Sequence, residues 1–445
     1  MNARRLAAIA PLAMLAAALA ARALIAHAPP FARDGLAQPL PVVTNWGGFG
    51  ACLLLALAFA VAAGAYGYLR ALAVPSSGAA LGCLAGSAAA LAAAWAWPAV
   101  FSSDAYAYAA YGELARIGAN AYGHAALPLH DPVFAAAVWQ WGNPPPACVY
   151  GPAFVALSAA ALAIAAPLGV AMQLGALRLL ATLALPLCGV LAYHAYGGDR
   201  RARTIAALTI AANPVAIWCA AEGHNDAIAL AVALGGFALA RRNAPLGAIV
   251  AALSGCIKAP GILGALPLGL RSRNARIAAL LGAAVTLLVS LPLLLGAGAH
   301  VATAGRYAPQ ASLQAIFAAV PPLAAFVALA AAALLARAGI GRLREGDAEG
   351  WPLLALAIWV LVPNPYPWYG LWLLPVAAAA PGTRAAKVAL ALSLTALLRY
   401  VPDAIGAPSE PVAILLGIAA SLPLAALLRK SEARVAMATR ASAFD

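Results

Sequence analysis

Acidic side chains are scarce in this chain of 445 residues, which contains only 14 aspartates and glutamates. Asp34 is the only acidic residue before Asp104. Charged residues of both signs make up 9% of the sequence, against 65% hydrophobic residues. A soluble domain cannot bury so large an apolar fraction, whereas a bundle of membrane helices exposes apolar side chains to lipid. The composition therefore excludes a soluble protein and predicts an all-α, polytopic integral membrane protein.

Cysteine and histidine also offer little that would indicate a cross-link or a metal ligand. The chain has six cysteines, and no two of them form a CxxC pair. Most of them lie within apolar runs, as small buried residues do. His124, His130 and His300 are scattered without the spacing that metal ligands show. The sequence therefore indicates neither a disulfide framework nor a metal site, and we expect no cofactor.

Apolar segments of helical length recur along the chain. The longer ones lie near residues 6–27, 48–67, 79–101, 204–220, 226–240, 276–297, 313–337 and 411–428, and the shorter ones near 245–257, 259–270, 351–362, 368–381 and 388–401. Several are shorter than the ~20 residues that a membrane-spanning helix needs, which indicates tilted, broken or half-inserted helices. The pattern predicts a transmembrane helical bundle of about 14 spans, within a range of about 11 to 14.

The number of membrane crossings in residues 152–200 is ambiguous. Tyr150 and Arg200 are predicted on opposite sides of the membrane, which requires an odd number of crossings between them, yet the sequence there looks like two apolar segments. Either residues 152–168 form a re-entrant or interface-lying piece, or the segment after Met172 splits in two. Of these readings we favour a single crossing in this region.

The distribution of basic residues fixes the predicted orientation. With the N-terminus in the cytoplasm, the inside loops hold most of the 27 basic residues, and the outside loops hold only Arg33, Arg116 and Arg306. Lysine and arginine accumulate in cytoplasmic loops of membrane proteins. The longest hydrophilic stretch, residues 102–150, is therefore predicted to face the periplasm or the exterior of the inner membrane.

Polar and aromatic side chains concentrate on this predicted outer side. Asp104, Tyr108 and Tyr111 have the i, i+4, i+7 spacing that places side chains on one helical face. Further candidates follow in the same loop, in the outward turns "EGHNDA" and "PNPYPWYGLW", and at two cations. These are Asn120, Tyr122, Tyr150, His224, Asn225, Asp226, Lys258, Arg306, Tyr366, Trp368 and Tyr369. Ionisable groups at membrane edges are functional candidates by default.

Each of these features also has a purely structural interpretation. Asp104 could cap an interfacial helix whose tyrosines lie at headgroup level, and Asn225 or Asp226 could cap the helix that follows. Lys258 could extend its ammonium group to the interface instead of binding a phosphate. The segment "YPWYGLW" could be an aromatic anchor.

The order of the segments resembles that of a known family. "SDAYAYAAYGELARIGANAY", "VYGP", "GHNDAIAL", "IKAPGILGALPL" and "PNPYPWYGLWLLP" follow one another along the chain. Over roughly residues 80–380, the chain resembles the C-type (GT-C) membrane glycosyltransferases. Within that class it is most similar to bacterial polyprenol-phosphate-mannose-dependent α-1,6-mannosyltransferases.

The resemblance implies a GT-C bundle with a large outer loop that carries short helices, and a hexosyltransferase activity with mannose as the sugar. The donor would be a sugar on a polyprenyl phosphate and the acceptor a glycan or lipid of the cell envelope. Asp104 occupies the position of the catalytic carboxylate, and the other candidates would bind substrate. "GANAY" has Ala121 where the family pattern has proline. No second acid follows Asp104 two residues on, which weakens the case for a divalent metal.

The predicted organisation has three parts. Residues 1–78 form N-terminal spans, residues 79–380 the GT-C-like catalytic membrane module, and residues 381–445 C-terminal spans and a cytoplasmic tail. The expected partners are the lipid-linked donor, the acceptor and the bilayer, but not nucleic acid, despite a formal net charge of +13. A secondary transporter or a flippase for lipid-linked sugars is the alternative. A transporter predicts internal repeats, and the sequence has no convincing repeat.

Overall fold

A computed structural model of the protein describes residues 3–25, 32–33, 36–37, 48–73, 101–102, 104–123, 125–126, 130–131, 133–135, 137, 146–295, 308–405 and 408–428. Within these ranges the chain is helical almost throughout, which confirms the all-α prediction. Two strands of two residues each, β1 (Ala32–Arg33) and β2 (Leu36–Ala37), pair in antiparallel fashion.

The α-helices are, in chain order, α1 (Ala3–Ile25), α2 (Gly48–Ala73), α3 (Asp104–Arg116), α4 (Pro152–Ala165), α5 (Val170–Ala195), α6 (Arg200–Ala211), α7 (Pro214–Glu222), α8 (Asp226–Leu239), α9 (Ala244–Leu253), α10 (Ala265–Gly269), α11 (Arg273–Val289), α12 (Leu291–Leu295), α13 (Pro321–Arg344), α14 (Gly350–Trp359), α15 (Leu373–Ala379), α16 (Arg384–Thr395), α17 (Tyr400–Ile405) and α18 (Glu410–Ser421). Short 3₁₀ segments connect several of them, including Ser254–Cys256, Ala259–Gly264 and Pro367–Trp372.

Several helices in the described part of the chain are long and apolar enough to cross a membrane. Five meet this criterion alone: Gly50–Ala73, Val170–Ala195, Pro321–Arg344, Arg384–Pro402 and Glu410–Leu428. A sixth candidate is the pair α6 and α7, which bends by 48° at a short break. These helices confirm a polytopic bundle. Residues 79–100 lie outside the described ranges, so the total of 11 to 14 spans stays a prediction.

Residues 152–200, in which the number of crossings was ambiguous from the sequence, contain one short helix, α4, and one long helix, α5. Helix α5 is continuous from Val170 to Ala195, although Pro186 lies inside it. The alternative in which the chain splits after Met172 is therefore wrong. The preceding helix, α4, has 14 residues and packs against α3 and α5.

Asn213 and Pro214 form the break between α6 and α7. This break lies inside residues 204–220, which the hydropathy pattern predicted as a single apolar segment. Pro214 occupies the first turn of α7, where its missing N–H is not needed. The Asn213 side chain accepts hydrogen bonds from the N–H groups of Val215 and Ala216, both at 3.0 Å. Helix α7 ends at Gly223, whose φ of 94° favours glycine because it lies in the left-handed region. This turn presents residues 222–226 between two buried helices.

Helix α3 is buried on all sides along its first eleven residues, Asp104–Leu114. Only 2% of Tyr106, 1% of Tyr108 and 4% of Tyr111 is exposed, because the helix packs against α4 and α5. The interpretation of α3 as an interfacial helix with its tyrosines at headgroup level is therefore wrong. The tyrosines instead belong to a packed cluster with Phe154.

Candidate active site

The carboxylate of Asp104 accepts two hydrogen bonds and lies beside an imidazole, and these three neighbours come from separate parts of the chain. Its Oδ2 accepts hydrogen bonds from the hydroxyl groups of Tyr108, at 3.3 Å, and Tyr150, at 3.2 Å. The Nδ1 of His224 lies 3.3 Å from the same oxygen. Burial raises the pKa of Tyr108 and of Tyr150 well above the usual value, so both remain hydroxyl donors at neutral pH.

Asp104 is ionised at neutral pH despite its burial. Burial alone raises the pKa of this carboxyl group, but His224, the charge of Lys258 and the Tyr150 hydroxyl together lower it further than burial raises it. The net pKa lies below the ordinary value for aspartate. The residue is 9% exposed, so it is not completely closed off from the surroundings.

His224 lies between two carboxylates in the turn that joins α7 to α8. Its Nδ1 faces Asp104, and its Nε2 lies 3.6 Å from Oε2 of Glu222. Burial lowers the pKa of the imidazole, but the two carboxylates outweigh that effect and the net pKa is raised. The protonated ring can therefore direct one N–H towards each carboxylate.

A column of stacked side chains supports His224. The imidazole stacks on Trp368 with ring centroids 3.9 Å apart, and Trp368 stacks on Tyr366 at 4.4 Å. The Arg399 guanidinium lies 4.2 Å from the Tyr366 ring centroid and donates a hydrogen bond of 2.6 Å to its hydroxyl. Two parallel rings at such distances fit only on opposite faces of the indole.

The faces of Trp368 and Tyr366 are thus covered, and a sugar cannot stack on them in this arrangement. Both residues were predicted to bind substrate, and their ring faces are not free to do so in this arrangement. Their position instead fixes the imidazole of His224. Tyr369 meets both rings edge-on and lies on the Lys258 side of the site.

Glu222 is a second buried carboxylate beside His224. Its Oε1 accepts a hydrogen bond from the backbone N–H of Phe101 at 3.0 Å, and its Oε2 accepts one from the Tyr400 hydroxyl at 2.9 Å. The Phe101 and Tyr400 rings stack with centroids 5.0 Å apart. The sequence analysis left Glu222 out of the predicted site. The available signal was an acid adjacent to "GHND" in a chain that has few acids.

Asp226 and Lys258 form an ion pair at the start of α8. The Lys258 ammonium contacts Oδ2 of Asp226, and Oδ1 accepts a hydrogen bond of 2.7 Å from the Trp372 indole. Asp226 is fully buried, so the interpretation in which Lys258 extends to the interface is wrong. Asn225 occupies the N-cap position of α8 without a side-chain cap bond, and its backbone N–H donates to the Tyr108 hydroxyl at 3.4 Å.

A close backbone contact brings Tyr150 and Lys258 to the same site. The N–H of Gly151 donates to the carbonyl of Ile257 at 3.0 Å. A Cβ atom on Gly151 would lie 2.1 Å from the carbonyl oxygen of Cys256, so only glycine fits there. The Lys258 ammonium consequently lies 5.9 Å from the Tyr150 ring centroid.

The remaining predicted residues lie beside this centre or outside the described part of the chain. Tyr111 donates to the carbonyl of Pro146 at 2.9 Å, and Tyr122 donates to the carbonyl of Tyr150 at 3.2 Å. Asn120 is exposed and accepts from the Tyr122 N–H. These three side chains shape the loop around Tyr150. Arg306 lies outside the described residues.

An apolar cavity of about 330 Å³ begins next to the Asp226–Lys258 pair. Tyr369 and Trp372 line it and also face that pair. Its other lining residues include Leu234, Phe237, Leu263, Leu354, Ile358 and Trp359. The cavity therefore lies among α8, α14 and α15 and shares Tyr369 and Trp372 with the surroundings of the Asp226–Lys258 pair.

Among the residues with described positions, no three of the types His, Cys, Asp and Glu come together in a way that could hold a metal ion. The residues around Asp104 are instead hydroxyl, imidazole and ammonium donors. This arrangement suits acid–base and electrostatic chemistry at a substrate that carries negative charge.

Comparison with known proteins assigns the chain to a family. Residues 4–272, more than half of the chain, match the family model described as alpha-(1->6)-mannopyranosyltransferase, N-terminal domain. No curated protein and no solved structure matches the chain. The matched residues include Asp104, His224 and Lys258, whereas Trp368 and Tyr400 lie beyond them.

Proposed function

The chain belongs to the alpha-(1→6)-mannopyranosyltransferase family, and we propose that it transfers mannose from a polyprenyl-phosphate donor to a glycan or lipid of the cell envelope. The observation that carries this proposal is the Asp226–Lys258 pair, because the charge of Lys258 acts on the Asp104 carboxylate while Tyr369 and Trp372, which contact the pair, line the apolar cavity. A lipid-linked sugar needs both environments within a few ångströms. Family membership makes the chain a glycosyltransferase, and this removes the support for the transporter or flippase alternative.

In the proposed reaction, Asp104 acts as a general base. An acceptor hydroxyl attacks the anomeric carbon of mannose, the bond from that carbon to the phosphate oxygen breaks, and the phosphate leaves with the electron pair. Because, among the described residues, the Tyr108 and Tyr150 hydroxyls and the His224 imidazole all face Oδ2, we assign Oδ1 to the acceptor proton. A positioned base of this kind accelerates such a step by ~10²–10⁴.

Lys258 and Trp372 lie where the donor phosphate would meet the cavity. An ammonium and an indole N–H are suitable partners for developing negative charge on a leaving phosphate. Asp226 contacts both groups. The polyprenyl chain would extend from there along the leucines and aromatic rings of the cavity, where burial of its apolar surface is favourable.

The proposal is tested with purified protein, an envelope acceptor and mannose on either of two donors. We expect labelled mannose to pass from polyprenyl-phosphate mannose and not from a mannose nucleotide. Transfer from the nucleotide sugar alone would overturn the assignment of the donor.

Filling the cavity should weaken binding of a long donor specifically. Ala355 lines the cavity and is half-buried, so Ala355→Trp places an indole in the path of the chain. We expect the KM for a long-chain donor to rise about tenfold, the equivalent of ~1.4 kcal/mol. The KM for a donor with only two isoprene units should change little.

The matched control is Leu329→Trp on the exposed face of α13, where 62% of the side chain is accessible. This variant should retain the KM for both donors. Equal effects of Ala355→Trp on the KM for the long and the short donor would mean that the polyprenyl chain of the donor binds outside this cavity.

We propose further that the loop 102–150 faces the outside of the inner membrane, because basic residues concentrate on the opposite side. His130 and Glu345 are both exposed and lie in loops of opposite predicted sides. In a cysteine-free background, His130→Cys should react with an impermeant maleimide in intact cells. Glu345→Cys should react only after permeabilisation. The reverse pattern would invert the orientation and put the site in the cytoplasm.

A further inference from the structure

Glu222 is a buried carboxylate that the proposed transfer step does not itself use. Only 1% of the residue is exposed, and it lies on the side of His224 opposite to Asp104. Burying a charged group costs free energy unless the charge is paired. Two buried carboxylates close to each other, Glu222 and Asp104, therefore need a partner between them. The imidazole of His224 is the group that both carboxylates share.

The chemistry of imidazole explains why two carboxylates would flank it. A neutral ring has one N–H and one lone pair, so it can donate to only one carboxylate and turns its lone pair to the other. A protonated ring donates to both. The stack on Trp368 restricts rotation of the ring, because a turn out of the plane would break the face-to-face contact.

From this geometry we infer that Glu222 is a positioning residue, which holds the protonated imidazole of His224 against Oδ2 of Asp104 and so leaves Oδ1 for the acceptor. The inference rests on the proposed function, since it assigns Asp104 as the base. Glu222 touches neither the donor nor the acceptor and acts only through His224. Phe101 and Tyr400 hold Glu222 itself through their hydrogen bonds to its two oxygens.

Charged and titratable groups from several elements surround His224. They are Asp104 and Tyr108 from α3, Tyr150 from the loop before α4, Arg178 from α5, Glu222 from α7, Asp226 from α8, Lys258 from the segment after α9, Tyr366 and Tyr369 from the 3₁₀ segment before α15, and Arg399 and Tyr400 near the start of α17. Of these, Asp104 and Glu222 are the two that face the ring nitrogens.

A merely structural role is the competing explanation, because Glu222 also ties Phe101 and Tyr400 to α7. Three substitutions separate the two roles. Glu222→Gln keeps the shape and removes the charge, whereas Glu222→Asp keeps the charge and shortens the side chain. Tyr400→Phe removes one hydrogen bond to Glu222 and leaves its charge in place.

The first measurement is the pH dependence of kcat. The pKa of His224 is raised in the folded protein, so its proton is retained below that pKa and lost as pH rises through it. Loss of the proton turns a lone pair towards a carboxylate and should produce the alkaline limb of the profile. We expect Glu222→Gln to move this limb to lower pH by about one unit, a tenfold loss of proton affinity. Glu222→Asp and Tyr400→Phe should retain the wild-type limb.

The second measurement does not depend on activity. Nitrogen-15 NMR of ring-labelled histidine, assigned with His224→Gln among the six histidines, follows the protonation of His224 directly. We expect Glu222→Gln to lower the pKa of His224 even under conditions where transfer is not assayed. An inactive wild-type protein would therefore refute the proposed function without affecting this result.

The third measurement is a double-mutant cycle on kcat. If Glu222 acts through His224, Glu222→Gln should add less than about twofold to the effect of His224→Gln. Additive effects of the two substitutions, or an unchanged His224 titration in Glu222→Gln, would overturn the inference.

Discussion

Asp104→Asn should lower the kcat of mannosyl transfer by ~10²–10⁴ while the protein still inserts into the membrane and binds the donor. Asparagine keeps the size of the side chain and one oxygen that can accept from Tyr108 and Tyr150. It cannot take a proton from the acceptor hydroxyl at neutral pH. Turnover under saturating donor and acceptor, together with donor binding at equilibrium, separates loss of the base from loss of binding.

The matched control is Asp131→Asn in the same loop, residues 102–150. Asp131 caps the short helical turn that follows it, since its Oδ1 accepts from the N–H groups of Val133 and Phe134 at 2.7 and 3.1 Å. Asparagine caps helices about as well as aspartate, so this variant should keep wild-type turnover. Retention of more than about a tenth of wild-type turnover by Asp104→Asn would contradict its assignment as the base, given the usual size of such losses.

The sequence could predict the parts of the site that depend on local geometry. The i, i+4 spacing of Asp104 and Tyr108 became a hydrogen bond within one helical turn. The cluster "GHNDA" was predicted as a turn, and the left-handed Gly223 forms one, whereas its outward orientation stays a prediction. In both cases, neighbours in sequence are neighbours in space. Helical periodicity and the residue preferences of turns are therefore enough to predict these local contacts.

The contacts that assemble the site across the chain could not be predicted. Asp104 and His224 lie 3.3 Å apart although they are far apart in sequence, and Trp368 supports His224 from a third region. Hydropathy shows which segments are apolar but not which helices become neighbours. For that reason Trp368 and Tyr366 were predicted only as substrate-binding residues, and their packing against His224 and Arg399 could not be predicted.

The site also extends beyond the residues that carry the family match. That match ends at residue 272, yet Trp372 binds Asp226, Trp368 supports His224 and Tyr400 holds Glu222. The carboxylates come from the matched part together with Tyr108, Tyr150 and Lys258, and further side chains that contact Asp226, Glu222 or His224 come from residues 366–400. The two parts together therefore form the site, and neither provides it alone.

Lys258→Met should destabilise the protein by about 3–5 kcal/mol, because it leaves the fully buried carboxylate of Asp226 without its cation. The Trp372 indole would remain as a donor but carries no charge. Methionine is close in size to the lysine side chain, so the loss reports charge and not volume. Thermal unfolding of the purified protein in one detergent measures the effect. Lys387→Met, at an exposed position of α16, is the control and should change stability little.

The double variant Lys258→Met/Asp226→Asn separates the two roles of Lys258. Removing the carboxylate as well as the ammonium leaves no unpaired charge, and asparagine can still accept from Trp372, so most of the lost stability should return. The KM for the donor should nevertheless stay raised, because the cation proposed to bind the phosphate is still missing. A stable protein with wild-type donor KM in the double variant would assign Lys258 to folding alone and place the phosphate beside another cation. Lys258→Met with wild-type stability would contradict the ion pair itself.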